Sequence, residues 1–432
     1  MKIMVNEELN ALTKLFNTSG IKLFIVGGYV RDSILGLNPT DIDLASELVS
    51  DKVEELLKNT GFSVKLASKK LGTLIISKNG KEFEYTTFRS ESYKDGGYHT
   101  PDKVDFVSNI EIDAKRRDFT INSLYYDLQE EKVIDFFNGE HDLKTKKVKA
   151  IISPKYVFKS DGLRILRMIR FAGELNFKID GKTFRVAKKL VNQLNDVSKD
   201  RIFKEFYLTL IAKDKYRLEN NNVIKKFNEL GAIEYVFPNL RALSINHNYK
   251  KLLKGYYKSL YYFNFANSDL KFATFILDLC LHLNRFDGQK PSVTAHKILN
   301  PKTSGISLTK KNFTINLIKA YEQSKKIDAD YGARSFLQDH NAIIEELFVI
   351  LNNDRDRGIY GLLKDNFDYM VKHSMPFKLK ELKIDGNMLK DECKFILDEK
   401  MGEALHKALK FAIREPNNNA KAKIIKFLKG EK

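Results

Sequence analysis

Several features that define common protein classes are missing from this chain of 432 residues. It has no tryptophan, and its two cysteines, Cys280 and Cys393, lie far apart without a CxxC or Cys/His spacing. The sequence therefore indicates neither a zinc site nor a disulfide framework. No apolar run approaches the ~18 residues that a membrane-spanning helix needs. We expect no membrane partner and a cytoplasmic location.

Positive charge and apolar residues are plentiful instead. The chain has 74 Lys and Arg against 56 Asp and Glu, which gives a formal net charge of +18 and a pI of about 9.4. This charge favours a polyanionic partner, nucleic acid before membrane, although many lysine-rich soluble proteins have no such partner. The hydrophobic content of 43% indicates a globular protein, and the length predicts two to four domains of roughly 150 residues each. The oligomeric state stays open between monomer and homodimer.

A strand, a glycine turn and a short helix are predicted near residue 27. Residues 23–26 have the length and β-branched content of a buried strand, and Gly27 and Gly28 separate them from an amphipathic segment. Glycines at such a junction let backbone N–H groups approach a phosphate, and the helix N-terminus beyond them favours negative charge. Taken alone, however, a Gly-Gly pair is more often part of a solvated loop.

Two carboxylates, Asp41 and Asp43, stand two residues apart in a segment that is predicted to be extended. The period of two of a strand puts both on one face, where they would form a seat for Mg²⁺ and substrate phosphates. A third carboxylate, Glu84, alternates with Phe83 and Tyr85 in a predicted strand. If the two strands are neighbours, Glu84 joins the metal site. Otherwise it lies on a solvated face of the sheet.

Residues 113–127 are predicted to contain a helix that starts at Arg116, Arg117 and Asp118. Two adjacent arginines suit triphosphate or pyrophosphate oxygens, because a guanidinium group binds them bidentately. Asn122, one turn after Asp118, would reach a ribose hydroxyl. A charged helix start held by salt bridges is the alternative.

From about residue 153 the pattern is helical, and residues 159–172 are predicted to form one amphipathic helix. Asp161 and Arg164 are neighbours on it at the i, i+3 spacing, which most often means a local ion pair. An Arg donor beside an Asp acceptor also matches the edges of cytosine and adenine. Uracil and guanine would leave unmatched buried groups that cost about 1–3 kcal/mol each. Lysine-rich stretches at 249–262 and after residue 407 would suit RNA.

These motifs occur in the order and approximate spacing of the bacterial-type (class II) tRNA nucleotidyltransferases, the CCA-adding enzymes of the polymerase-β superfamily, which the chain resembles over residues 23–205. The resemblance implies an α+β fold, with an N-terminal mixed α/β nucleotidyltransferase head followed by an all-helical neck, body and tail. The implied domains are a catalytic head at 1–150, a nucleotide-selecting neck at 151–212, a helical body at 213–305 and a tRNA-binding tail at 306–432.

The resemblance also implies a reaction, the addition of C, C and A to a tRNA 3′ end from CTP and ATP without a nucleic-acid template, releasing pyrophosphate. Asp41 and Asp43 would bind two Mg²⁺ ions, with Glu84 as a third catalytic carboxylate. The residues expected to bind nucleoside triphosphates are Gly27, Gly28, Arg31, Asp32, Arg116, Arg117, Asp118, Asn122, Asp161, Arg164 and Arg167.

Two positions depart from the family pattern. Ser160 stands where the family usually has Glu, so the support that orients Arg164 is altered. Gly97 or Tyr98 stands where a mobile loop, associated with the switch from C to A addition, usually has Arg. A partial enzyme that adds only C-C or only A is therefore an alternative. The others are a poly(A) polymerase and, in a different class, an RNA-binding protein with an inactive head.

Overall fold

The computed structural model describes residues 3, 5–93, 101–211, 223–240, 267–352, 357–393 and 398–430. The chain divides into two compact units, and each contains two segments of the sequence. These segments are Met1–Phe263 with Ile298–Ile306, and Asn264–Lys297 with Ser307–Lys432. The bounds of the four predicted domains remain predictions. The stretch at 249–262 and the loop positions Gly97 and Tyr98 lie outside the described residues.

A mixed sheet of seven strands forms the centre of the first unit, in the order β3-β4-β5-β2-β1-β8-β9. Neighbouring strands are antiparallel except β2 and β5, which run parallel. Two further pairs, β6 with β7 and β10 with β11, lie outside this sheet. The strands are β1 Phe24–Val26, β2 Ile42–Ser46, β3 Ser63–Ser68, β4 Thr73–Lys78, β5 Lys81–Thr87, β6 Arg89–Ser92, β7 Lys103–Phe106, β8 Tyr125–Asp127, β9 Lys132–Ile134, β10 Lys147–Val148 and β11 Lys178–Ile179.

Helices make up all the described secondary structure from residue 199 onward. Those that begin before residue 240 are α1 Glu7–Thr18, α2 Gly28–Ile34, α3 Ser50–Leu57, α4 Ile110–Lys115, α5 Gly139–Lys144, α6 Pro154–Ser160, α7 Leu163–Glu174, α8 Gly181–Lys189, α9 Lys199–Ile211, α10 Val223–Leu230 and α11 Ile233–Val236. The later ones are α12 Ser268–Asp287, α13 Pro291–Ile298, α14 Pro301–Ser304, α15 Leu308–Ser324, α16 Asp330–Asp339, α17 Ile344–Asn352, α18 Arg357–Lys372, α19 Gly386–Glu392, α20 Met401–Ala412 and α21 Lys421–Leu428. The predicted fold class, α+β with a mixed head and a helical remainder, is confirmed. None of the helices in the described ranges combines the length and the apolarity needed to cross a membrane.

Local sequence explains the hairpin that delivers β5 to the sheet. Asn79 and Gly80 both have positive φ angles, 51° and 75°, as a two-residue turn with the twist of the flanking strands requires. In β5, Phe83 and Tyr85 are buried while Glu84 between them is exposed. Alternation along this strand therefore directs Glu84 away from the core.

The helix predicted to start at Arg116 is wrong, because α4 ends at Lys115 and Arg116 is its C-terminal cap. Asn109 begins α4 earlier by accepting hydrogen bonds from the backbone of Glu111 and Ile112. Beyond the helix, Phe119 is held extended by a bridge to Ala150, and a 3-10 helix, Thr120–Asn122, follows it. Contacts distant in sequence thus override the local helical pattern.

The single helix predicted over residues 159–172 is also wrong, since it is divided into α6 and α7. Asp161 between them is extended, with φ −151° and ψ 111°. At Gly162 a Cβ atom would lie 2.5 Å from the carbonyl oxygen of Gln193, so only glycine fits this approach of two segments. Asp161 therefore precedes α7 instead of sharing a helix face with Arg164.

Candidate active site

The glycine turn lies where strand β1 passes into helix α2. Gly27 has φ 71° and ψ −123°, a conformation that side chains other than glycine rarely adopt. Its N–H donates to the carbonyl of Leu124 in the neighbouring segment. A Cβ at Gly28 would meet its nearest protein atom, Nη2 of Arg31, only at 3.8 Å. The protein itself therefore leaves room beside Gly28, as close approach of a ligand would need.

The three carboxylates lie on two adjacent strands. Asp43 is on β2, Asp41 directly precedes that strand, and Asp43 is in register with Glu84 on β5. The condition under which Glu84 would join the site, that the two strands are neighbours, is met. Burial and the charges of Glu84 and Asp41 raise the pKa of Asp43 to about 6, although Arg117 opposes the shift. Three like charges thus crowd one sheet face that opens to solvent.

Two arginines on the other side of the turn are held by a buried aspartate, Asp113. Its Oδ1 accepts from Nε of Arg116 at 2.8 Å and from the Arg89 N–H at 3.0 Å. Its Oδ2 accepts from Nη2 of Arg117 at 3.3 Å and from the hydroxyl of Tyr125. The two arginines hold the pKa of Asp113 at about 2 despite its complete burial.

The free edge of Arg117 faces the glycine turn. Its Nε donates to the Tyr125 hydroxyl at 2.9 Å, and its guanidinium lies 5.0 Å from the centre of that ring. Nη1, in contrast, is 3.4 Å from the position that a Cβ of Gly27 would take. The charge of Arg117 also lowers the pKa of Asp43, so the guanidinium next to the glycine turn is within electrostatic reach of that carboxylate.

The remaining residues predicted to bind nucleotide in the head form a buried hydrogen-bonded chain. Arg31 donates to Asp32 at 2.8 Å and to Asn122 at 2.7 Å, and Asn122 donates to Asp118 at 3.1 Å. From the neck, Arg167 donates to Asp118 through Nε at 2.8 Å and Nη2 at 2.7 Å. Arg31 and Asp32 are only 6% and 5% exposed. Their side chains bind one another and Asn122, an arrangement that fixes α2 against the segment after α4.

Arg164 of the predicted base-selecting pair is held by two neutral oxygens. Its Nη1 donates to Oγ of Ser160 at 3.0 Å and its Nη2 to the carbonyl of Arg116 at 2.7 Å. Asp161 accepts from the Leu163 N–H at 2.9 Å and from Arg201 at 3.3 Å. The serine that departs from the family pattern therefore still orients Arg164, because its hydroxyl replaces the carboxylate as acceptor.

Asp161 and Arg164 lie near one tyrosine that the motifs did not include. The Tyr93 hydroxyl donates to Glu91, which also pairs with Arg116 at 3.4 Å. Burial and Glu91 raise the pKa of Tyr93, and the charges of Arg164 and Asp161 act on it in opposite directions. The head and the neck thus meet at this end of the site.

The donor set suits magnesium more than a soft metal. In the part of the chain that the structure describes, no group of three or more His, Cys, Asp and Glu side chains is arranged to hold a metal. Mg²⁺, however, is usually bound by one or two carboxylates and completes its octahedron with water and substrate phosphates. Asp41 and Asp43 supply those carboxylates, and the pKa of Asp43 is raised even though the charge of Arg117 opposes the shift.

Asp113 and Tyr125 are the site residues that the motif analysis missed. Asp113 stands three and four residues before Arg116 and Arg117, the spacing at which helical side chains pair, and that signal could have found it. Tyr125 is brought to Arg117 by the pairing of β8 with β1, a contact without a local signature.

Comparison with known proteins agrees with this geometry. Residues 23–149 match the poly A polymerase head domain, and residues 176–243 match the probable RNA and SrmB-binding site of polymerase A. The chain is 38% identical over 197 residues to a CCA-adding enzyme of Ligilactobacillus salivarius, covering 45% of this chain and 47% of that relative. A CCA-adding enzyme of Pediococcus pentosaceus is 35% identical over 225 residues, 52% of this chain and 55% of the relative. The chain thus spans about half the length of the curated relatives it matches.

Solved structures resemble the chain over nearly its whole length. The crystal structure of the Bacillus stearothermophilus CCA-adding enzyme in complex with CTP has a TM-score of 0.74 and 20% identity, and covers 98% of this chain and 96% of the other. The Thermotoga maritima CCA-adding enzyme complexed with tRNA has a TM-score of 0.57 and 20% identity, with 99% and 96% covered. At this identity the likeness concerns the fold. Together with the sequence matches, it confirms the resemblance that the motifs predicted.

Proposed function

Since this chain is a relative of the CCA-adding enzymes of bacteria, with a poly A polymerase head domain at residues 23–149, we propose that it is a template-independent CCA-adding tRNA nucleotidyltransferase. It adds C, C and A to the 3′ end of tRNA from CTP and ATP and releases pyrophosphate. One observation carries the proposal: four separate segments bring the turn at Gly27, the guanidinium of Arg117 and the carboxylates of Asp43 and Glu84 together. A glycine turn, a guanidinium and carboxylates are the groups that a triphosphate-binding site next to a cation site requires.

Each part of the head has a role in this reaction. Asp41 and Asp43 would hold two Mg²⁺ ions, and such ions would supply Lewis-acid chemistry, lowering the pKa of the RNA 3′-hydroxyl and neutralising phosphate charge. Glu84, in register with Asp43, adds negative charge to the same face. The backbone N–H of Gly28, the first residue of α2, would approach the phosphates, since that of Gly27 donates to Leu124, and Arg117 faces them with Nη1. Because these groups are fixed by buried neighbours, they require little reorganisation when the phosphates bind.

The neck selects the base. Arg164 offers donors and Asp161 an acceptor, which match the edge of cytosine or adenine that presents an acceptor beside an amino group. Uracil and guanine present an N–H and a carbonyl, so each would leave buried groups unmatched. Ser160 and the carbonyl of Arg116 orient the guanidinium.

The tRNA partner is supported by charge and by solved neighbours. The Thermotoga maritima neighbour is a complex with tRNA, and another neighbour, with a TM-score of 0.56 and 22% identity, holds a primer tRNA and an incoming ATP analog. The net charge of +18 suits a polyanion of this size. The last helices carry a share of it, since α20 and α21 contain Lys407, Lys410, Lys421, Lys423 and Lys426.

A primer-extension assay tests the proposal. Transcripts of tRNA that end at the nucleotide before C-C-A are incubated with protein, Mg²⁺ and CTP, ATP or both, and product lengths are read on a sequencing gel. We expect two additions with CTP alone and a third only when ATP is also present. Asp41→Ala protein, checked for folding, is the control and should add nothing.

Other outcomes would point to the alternatives. Two additions with both nucleotides present would identify a C-C-adding enzyme. One addition to a transcript ending in C-C, with no extension of the transcript that ends before C-C-A, would identify an A-adding enzyme. A long ladder with ATP alone would indicate a poly(A) polymerase. No extension of any transcript by folded protein would leave an RNA-binding protein with an inactive head.

A further inference from the structure

Asp113 and Tyr125 form a buried pair behind Arg117, outside every motif that suggested the function. Both residues are fully buried. Each oxygen of the Asp113 carboxylate accepts two hydrogen bonds, one from a guanidinium and one from a backbone N–H or a phenol. A carboxylate has about four lone-pair positions, so this one is saturated.

The Tyr125 hydroxyl completes a closed three-membered arrangement. It donates to Oδ2 of Asp113 and accepts from Nε of Arg117, while Nη2 of Arg117 donates to the same Oδ2. Two of the three nitrogens of the Arg117 guanidinium are thereby fixed in the plane of that group. Nη1 is the third, and it faces the Gly27 turn.

We propose that Asp113 and Tyr125 are positioning residues, which lock the guanidinium of Arg117 so that its Nη1 edge meets the triphosphate of the incoming nucleotide. The inference rests on the proposed nucleotidyl transfer. A guanidinium group contributes most to phosphate binding when its orientation is fixed before the ligand arrives, because less side-chain entropy is then lost on binding. The ion pair with Asp113 also leaves Arg117 charged in a site where burial opposes charge.

A double-mutant cycle tests the lock. Tyr125→Phe keeps the ring and its packing but removes the hydroxyl from both Asp113 and Arg117, and we expect CTP and ATP to bind about tenfold more weakly. Arg117→Ala should weaken binding by about a hundredfold. Because Tyr125 acts through Arg117, the double variant should bind no more weakly than Arg117→Ala alone. Binding is measured by titration calorimetry of each nucleotide with Mg²⁺ into the full chain.

Tyr126→Phe is the matched control. Tyr126 is the next residue of β8, is equally buried, and its hydroxyl accepts a hydrogen bond from the backbone N–H of Ile3 at 3.1 Å. It lies on the opposite face of the sheet, so its variant loses a buried hydroxyl without a change in nucleotide affinity. Should Tyr125→Phe unfold the chain, Asp113→Asn replaces it in the same cycle with the same expectation.

The outcomes separate this inference from the proposed function. Independent effects of Tyr125→Phe and Arg117→Ala, or an equal loss in Tyr126→Phe, would overturn the lock while nucleotide binding by the unmodified protein still stood. A weaker binding of CTP but not of ATP would also overturn it, because a contact to the triphosphate does not distinguish the bases. Failure of the unmodified protein to bind either nucleotide would overturn both the lock and the function.

Discussion

Asp43 and Asp113 are the same residue type in the same head, yet their surroundings shift their pKa values in opposite directions. The pKa of Asp43 rises to about 6 because of desolvation by the surrounding protein and the charges of Glu84 and Asp41. That of Asp113 falls to about 2 because Arg116 and Arg117 pair with it. Asp113 is paired with cations of the protein, whereas Asp43 lies beside two further carboxylates. Under the proposed function, Asp113 holds the site together and Asp43 acts in it.

The two aspartates should also oppose one another in the pH dependence of stability. Between the ordinary value of 3.8 and about 6, the folded protein holds a proton on Asp43 that the unfolded chain has lost, so this contribution to stability falls as pH rises. Asp113 stabilises the fold above 3.8, and its contribution is lost as pH falls towards 2.

The largest effect is expected from Asp43→Asn. It removes a carboxylate that would bind Mg²⁺, and we expect nucleotide addition to fall at least about a thousandfold, since metal binding supplies several kcal/mol to the transition state. In Mg²⁺-free buffer above pH 7 the free energy of unfolding should be unchanged or higher, because a like-charge contact is relieved. Primer extension and urea unfolding measure the two quantities. A large loss of stability with retained activity would contradict the proposal, because Asp43 would then be the structural aspartate and not the one that acts in the reaction.

Asp113→Asn, unlike Asp43→Asn, should lower the free energy of unfolding in the urea assay. Removing one partner of a buried ion pair leaves Arg117 without its carboxylate and Arg116 with Glu91 alone, and we expect the free energy of unfolding to fall by about 3 kcal/mol. The loss should be present at neutral pH and vanish on acidification, where the unmodified Asp113 is itself protonated. An unfolding free energy within about 0.5 kcal/mol of the unmodified protein would contradict the saturated arrangement around Asp113.

Magnesium binding offers a finer test of the pKa of Asp43. Protons compete with Mg²⁺ for a carboxylate with a pKa of about 6, so the apparent dissociation constant should rise about tenfold between pH 7 and pH 5. Calorimetric titration without nucleotide avoids the titration of the phosphates themselves. The Asp43→Asn protein is the reference, and any pH dependence of the same size in it would assign the effect to another group.

The smallest effect is expected at Arg164 in the neck, whose guanidinium is held by two neutral oxygens. Ser160→Ala removes the acceptor for Nη1 of Arg164 but leaves the carbonyl of Arg116. We expect UTP incorporation to rise about three- to tenfold relative to CTP, as for the loss of one hydrogen bond of about 1 kcal/mol. Ser123→Ala is the control, since Ser123 is a buried serine that donates to the backbone of Thr120. Unchanged selectivity in Ser160→Ala would show that the carbonyl alone orients Arg164.

The sequence predicted the backbone correctly where a short segment determines its own conformation. Gly27 and the Asn79–Gly80 turn were both predictable, because positive φ angles favour those residue types. The sequence-based prediction was wrong where distant segments decide the outcome. After α4, Phe119 is extended and bridges to Ala150, and the predicted single helix is divided at Asp161, where Gly162 closely approaches Gln193.

The carboxylates and arginines of the candidate site also divide into those with a local sequence signal and those brought together by distant contacts. The spacing of Asp41 and Asp43 is local, so their common position was predictable. The register that joins Glu84 to Asp43 arises from strand pairing and could only be stated as a condition. Asp113 has a local signature, three and four residues before two arginines, but its importance depends on complete burial and on Tyr125 of another strand, which no local pattern contains.

The parallel pairing of β2 with β5 determines when the three carboxylates come together during folding of the head. Between these strands the chain forms α3 and the β3–β4 hairpin, so the carboxylates meet only after a long loop has closed, which is a slow kind of event in folding. Phe83 and Tyr85 then lock the register, since a slip by one residue would send both to solvent and Glu84 into the core. A nascent chain that has not yet completed β5 therefore lacks the register that brings Glu84 beside Asp43. The cluster of three carboxylates and the correct register of the sheet are reached in the same step.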